Sequence, residues 1–176
     1  MLGKLRAAGA ALLVVVLFAL AAGTAQAFIF SDPANLYSTS IADSWVYQAY
    51  HSTPEIAVFY GEGDYDLLYF ETLGRVLDNS AEDLAKRSLE LYSAAGGLRD
   101  FQLEMPLIQV EVADQKGLAC AYTYQDERGN KLWEYRVFLL LPEGRGFSIA
   151  LSSDGPWVKN RPPVLEEVLA KWQWML

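Results

Sequence analysis

The sequence predicts an α+β fold: an antiparallel β-sheet meander packed by two main helices, in an α/β/α-type sandwich. Three observations predict it. Residues 45–73 break into short runs of aromatic and β-branched residues, the signature of strands. One strongly one-sided helix pattern follows at 80–95. Strand patterns then return in meander order and stop at a helical stretch near the C-terminus.

The first 27 residues stand outside that fold. Lys4 and Arg6 supply a short positive region, Ala11–Ala22 is an unbroken apolar run, and Ala25-Gln26-Ala27 is a small-x-small cleavage site. Together they read as a secretory signal peptide, 1–27, cleaved near Ala27. The apolar run is short of the roughly 20 residues that cross a bilayer, which favours a cleaved signal over an anchor. No later segment is long and apolar enough to be a membrane span. The expected product is a single exported domain, 28–176, periplasmic or extracellular, and large enough to bury a core without staples.

Within that domain, residues 28–36 read as an apolar arm ending in the turn Ser31-Asp32-Pro33. "WVYQAYH", "IAVFYG" and "DLLYFETL" are strand candidates, interrupted by Pro54 and by the Gly61–Gly63 stretch. In "SAEDLAKRSLELYSAA", Ala81, Leu84, Ala85, Ser88, Leu91, Tyr92 and Ala95 share one helical face, and charged residues take the other. Ser80 is the expected N-cap with Asp83 three residues on, and Gly96-Gly97 is the expected stop. "LRDFQLEM" and "LIQVEVA" read as two strands. "GLACAYTYQ" and "KLWEYRVFLLL" flank a hairpin loop at 126–130, and "GFSIALSS" follows a turn at 142–146. In "PPVLEEVLAKWQWML", Val164, Leu165, Val168, Leu169 and Trp172 form an apolar stripe after two prolines suited to a first helical turn. Trp174 falls off that stripe, either to cap the sheet edge or to touch a partner.

Charge excludes some functions. The signal takes two of the 14 basic residues, leaving 12 against 22 acidic ones, a net charge of −10. Nucleic acid or an anionic membrane surface would need clustered Lys and Arg. The single histidine, His51, and the single cysteine, Cys120, leave little material for catalysis. No zinc-binding set or phosphate-binding glycine loop is present. Side-chain alternation places Cys120 between Leu118 and Tyr122 on one strand face, the setting of a buried structural thiol. An intermolecular disulfide is the other reading of a lone exported cysteine. No cofactor is expected.

Two clusters remain. Glu62, Asp64 and Asp66 alternate in "GEGDYDLLYF" and could offer oxygens to Ca²⁺. An EF-hand spacing fails, because its sixth and twelfth positions would be Leu67 and Leu73. The acids are weak metal candidates, and a solvated hairpin turn is the preferred reading. Eight aromatic residues crowd 45–70, and Trp45, Tyr47, Tyr60 and Tyr65 are candidates for a partner-binding face, with core packing the ordinary alternative. A hydrolase using paired carboxylates is the enzymatic alternative, but scattered acids identify no pair.

The early "SIADSW", the helix "SAEDLAKRSLELY", the meander "GLACAYTYQDERGNKLWEYRVFLLLPEGRGFSIALSS" and the end near "LEEVLAKWQW" resemble, in this order, the Mog/PsbP-like fold family, which includes bacterial envelope relatives such as DcrB. The resemblance covers about residues 36–174 and rests on element order and apolar pattern. It departs at Asp43, where many relatives carry a proline before the tryptophan. It implies a non-enzymatic accessory or binding module of the cell envelope, with an envelope protein as the expected partner and a small ligand second. A fold match carries no site residues, and none is transferred.

Overall fold

The computed structural model describes residues 26–156, 158 and 162–175. The expected signal segment lies outside them except for Gln26 and Ala27. Among the described residues no helix is long and apolar enough to cross a membrane. The elements run β1 (Ala27–Ser31), β2 (Tyr37–Ala42), β3 (Val46–Tyr47), β4 (Ile56–Tyr60), β5 (Leu67–Arg75), α1 (Ala81–Ser93), β6 (Arg99–Val112), β7 (Gln115–Gln125), β8 (Lys131–Leu141), β9 (Arg145–Ser153), α2 (Pro163–Ala170) and β10 (Gln173–Trp174). The fold is α+β.

The main sheet has seven strands in the order β3-β4-β5-β9-β8-β7-β6, and every pairing is antiparallel. The chain leaves β5, crosses by α1 to the far edge at β6, and returns strand by strand until β9 closes on β5. That return is the expected meander. Strands β7, β8 and β9 are central and buried on both faces, so apolar residues fall on both parities, with Thr123, Glu134, Arg136, Ser148, Ser152 and Ser153 as buried polar exceptions.

Each face has its own core. Leu84 and Ala85 of α1 pack on Cys120, Tyr122 and Phe138. Burial of a leucine such as Leu84 contributes about 1.5–3 kcal/mol, and α1 has no other surface on which to gain it. On the opposite face Ala119, Val137, Phe147, Ile149 and Leu151 meet Phe30, Tyr37, Ile41 and the α2 residues Leu165 and Val168. The residues on that second side come from α2 and from a separate three-stranded sheet, β1-β2-β10.

Helix α1 begins and ends as its sequence requires. Ser80 accepts the Asp83 amide at 3.0 Å and donates to the Asp83 carboxylate at 2.8 Å. Past the helix, Gly96 takes a left-handed φ of +87°. A Cβ on Gly97 would lie 2.4 Å from the carbonyl oxygens of Leu91 and Tyr92, so this turn accepts only glycine.

Five segments differ from expectation. Of "WVYQAYH" only Val46–Tyr47 is strand, because the chain then turns, with the His51 amide donating to the Gln48 carbonyl at 3.0 Å. The apolar arm is the strand β1, and its turn runs through Asp32, whose carboxylate accepts the Leu36 amide at 2.9 Å. "YSTSIA" is a strand despite its hydroxyls, because Tyr37, Thr39 and Ile41 all point inward. The buried Thr39 hydroxyl is satisfied by the Val168 carbonyl at 2.7 Å. The two strands expected around Pro106 are one strand, β6. It is an edge strand, where a missing N–H is tolerated, and its register shifts around Met105 absorb the proline. The last helix stops at Ala170, and Trp174 sits on β10, where its indole N–H donates to the Val112 carbonyl at 2.9 Å. Trp174 thus bridges the two sheets.

Candidate binding site

The loop between β4 and β5 shapes the site. Tyr60 pairs with Leu67 across the hairpin, and Gly61–Asp66 make the turn. The Gly61 amide donates to the Asp66 carbonyl at 2.9 Å, and the Gly63 amide donates to the Asp66 carboxylate at 3.0 Å. A Cβ on Gly63 would come within 2.8 Å of that carboxylate. The glycines therefore let the loop close on Asp66. Glu62 and Asp64 are left on the exposed rim.

This loop walls an open depression of roughly 470 Å³. Tyr60, Glu62, Asp64, Tyr65 and Asp66 line one side, and Tyr124, Leu132 and Ser152 line the other. Three tyrosines from β4, the loop and β7 thus meet three carboxylates, and among the described residues no lysine or arginine lines the space. Of the sequence candidates, these five come together. Trp45 does not join them: it is 7% exposed and belongs to the core beneath the loop. Tyr47 packs on Phe30 and Phe59, with ring centres 5.3 and 5.4 Å apart, facing the small sheet. Among the described residues no three His, Cys, Asp or Glu side chains converge to hold a metal ion.

Behind the depression lies a buried ionic cluster that the sequence did not announce. One row across the sheet runs Leu67, Ser152, Glu134, Tyr122. The next runs Tyr69, Ala150, Arg136, Cys120. Ala150 is small, so Arg136 reaches over it. Its guanidinium donates to Glu134 at 2.8 Å, to Glu71 and Ser148 at 3.2 Å each, and to the Tyr69 hydroxyl. The Tyr122 hydroxyl donates to Glu134. The Tyr69 and Tyr92 rings cover the guanidinium at 5.0 and 5.5 Å. Burial pushes the Tyr69 and Tyr122 hydroxyls well above their ordinary range, against the opposing pull of Arg136. Tyr124 stands between cluster and depression. Its ring lies 6.3 Å from Tyr122, and its hydroxyl shares a 3.4 Å contact with Ser152.

The only sequence trace of this cluster is the pair Glu134 and Arg136 at one parity inside "LWEYRVF". Alternation alone would send both to solvent. Only the placement of α1 over that face buries them.

The cluster and its surroundings offer binding geometry without an activated nucleophile. Glu71 and Glu134 share one arginine instead of facing each other across an open cleft. Cys120 is sealed from solvent, and burial pushes its thiol up to about 12. His51 is exposed, with its ring 5.7 Å from that of Tyr60.

No family model and no curated protein sequence matches the chain. Solved structures do. The chain is similar to the Ran-binding protein Mog1p of Saccharomyces cerevisiae at 8% identity and a TM-score of 0.60, over 86% of this chain and 97% of that one. It is similar to the cyanobacterial PsbP of Synechocystis at 14% identity and a TM-score of 0.61, over 88% and 95%. It is also similar to LpqN of Mycobacterium tuberculosis, described as involved in cell envelope biogenesis, at 12% identity and a TM-score of 0.53, over 84% and 90%. The expected fold is the observed one: the chain has the Mog/PsbP-like fold.

Proposed function

We propose that this chain is an exported, non-enzymatic accessory module of the cell envelope that binds a protein partner at the Tyr60–Tyr65–Tyr124 depression. The observation that carries the reading is the convergence of three tyrosines from separate elements on one open space, beside a sealed thiol and a carboxylate pair tied to one arginine. Tyrosine supplies apolar area with a polar tip, which suits a surface alternately wet and covered. The signal-like N-terminus supports export. The envelope role named for LpqN and the protein-binding role named for Mog1p support an accessory function. A small ligand is the second reading, because roughly 470 Å³ is within the range of ligand sites.

The test is photocrosslinking in intact cells from a reactive residue placed at Tyr65, with Glu90 on the outer face of α1 as control. Capture of one envelope protein, identified by mass, from Tyr65 only supports the reading. Equal capture from Glu90, or a turnover that disappears when one acid is replaced, overturns it.

A further inference from the structure

We infer that the depression receives a cationic side chain, an ammonium or guanidinium, from a basic segment of the partner. The inference rests on the binding reading above and names the chemistry of the occupant. Three features select a cation. Tyr60, Tyr65 and Tyr124 line the depression, and their ring faces are negative and attract cations. Glu62 and Asp64 form its rim, and among the described residues neither has an ion-pair partner. The cluster behind it adds no positive field: Arg136 is matched by Glu134 and opposed further by Glu71, so these three groups sum to −1. An anionic occupant would meet carboxylates on the rim and, among the described residues, no free cation in the lining.

The same features argue for an organic cation over a bare metal ion. Ca²⁺ needs six or more oxygens at close range. Here Asp66 is turned into its own loop by the Gly63 amide, and no three acids converge among the described residues. Aromatic walls serve a long-stemmed lysine or arginine, whose methylenes lie on the rings while the head reaches the carboxylates. The depression is open, which fits a side chain presented by another protein. Pro163 borders a recess shared with Glu62 and Asp66, and the basic residues Lys159 and Arg161 stand just before it in the sequence, so the test includes their removal.

The experiment is a titration of the protein, purified as the cell exports it, followed by amide NMR. The probes are a capped tri-arginine peptide, its uncharged tri-citrulline isostere and tri-glutamate. Tri-arginine is expected to shift the amides of Gly61, Gly63, Tyr65 and Tyr124, and to weaken as salt rises from about 0.05 to about 0.5 M. Binding should fall at least about tenfold in E62Q/D64N, and also in Y65L, where the charge is unchanged. Equal binding of tri-citrulline, shifts located elsewhere, or no binding would overturn the inference. Binding that emerges only in K159A/R161A would overturn it too, by assigning the site to the chain's own cations. In-cell capture at Tyr65 that persists in E62Q/D64N would leave the binding reading standing while this inference fails.

Discussion

The Arg136 guanidinium and the Glu134 carboxylate meet at 2.8 Å on the face of the sheet that α1 covers, two residues apart on one strand. Their side chains are 7% and 4% exposed. Desolvating two charges is unfavourable, and the pair persists because Tyr69, Tyr122, Ser148 and Glu71 complete its hydrogen bonds.

Breaking one side of that pair should therefore be worse than removing both. R136M leaves Glu134 buried and charged, and a loss of about 3–5 kcal/mol is expected. R136M/E134Q should be clearly more stable than R136M, because the amide that replaces the Glu134 carboxylate keeps an acceptor for Tyr122 without the charge. Urea unfolding of the two variants checks this. A double variant no more stable than R136M would mean that the charges are not coupled.

Alkaline pH should destabilise the protein in a defined window. The thiol of Cys120 moves from 9.0 to about 12 through burial, and burial raises the hydroxyls of Tyr69 and Tyr122 well above 10.0. Above pH 9 the unfolded chain releases protons that the folded chain keeps. Stability is then fully present below about pH 9 and declines towards pH 12, by up to about 1.4 kcal/mol per pH unit for each group. Urea melts from pH 7 to 11 measure the slope, and C120A should delay its onset by about one unit, from the thiol's range to the tyrosines'. A flat profile to pH 11 contradicts the burial of these groups.

Cys120 should also resist thiol reagents in the native protein at pH 8 and react once it is unfolded in urea. Rapid native labelling would mean that α1 opens readily from the sheet.

Trp45 and Tyr65 should separate stability from binding. W45A empties a core site and is expected to lower stability by about 3–5 kcal/mol. Y65A removes a half-exposed ring from the depression and should change stability by less than about 1 kcal/mol while abolishing capture from a reactive residue placed at Leu67, in the wall of the same depression. Thermal unfolding alongside crosslinking distinguishes the two. Equal destabilisation would place Tyr65 in the core.

The turn after α1 should tolerate one glycine change better than the other. G96A puts a Cβ in open space at φ +87° and should cost about 1–2 kcal/mol. G97A drives a Cβ into two backbone carbonyls, so it should cost more and loosen Tyr92 from the Arg136 cluster. Unfolding of both variants, with hydrogen exchange along α1, measures the difference.

Much of the fold was legible because its signals are short-range. The α1 stripe, its Ser80 cap, the glycine stop, the 126–130 hairpin and the buried parity of Cys120 all lie within windows of a dozen residues. Strand β2 was not legible, because Ser38, Thr39 and Ser40 dilute its period-two signal, and Thr39 becomes a core residue only when Val168 supplies an acceptor 129 positions away. Strand β6 carries the pattern of two strands, because Pro106 is a local stop signal whose penalty vanishes at a sheet edge. At the site, the crowding of aromatics and acids in 45–70 was visible, but their sorting was not: Trp45 and Tyr60 look alike as letters, and only the packed structure buries Trp45 in the core and leaves Tyr60 exposed at the depression.

The amino-acid order was enough to specify the α+β class, the meander, the helix and the scarcity of catalytic groups, since each follows from local periodicity and composition. Which side chains share a space was decided by register and layer packing. Glu71 and Arg136 are 65 residues apart and meet only because β9 returns between β5 and β8, and Glu134 is buried only because α1 lies over its face of the sheet. Contacts of that separation depend on the assembled sheet, which no local window encodes.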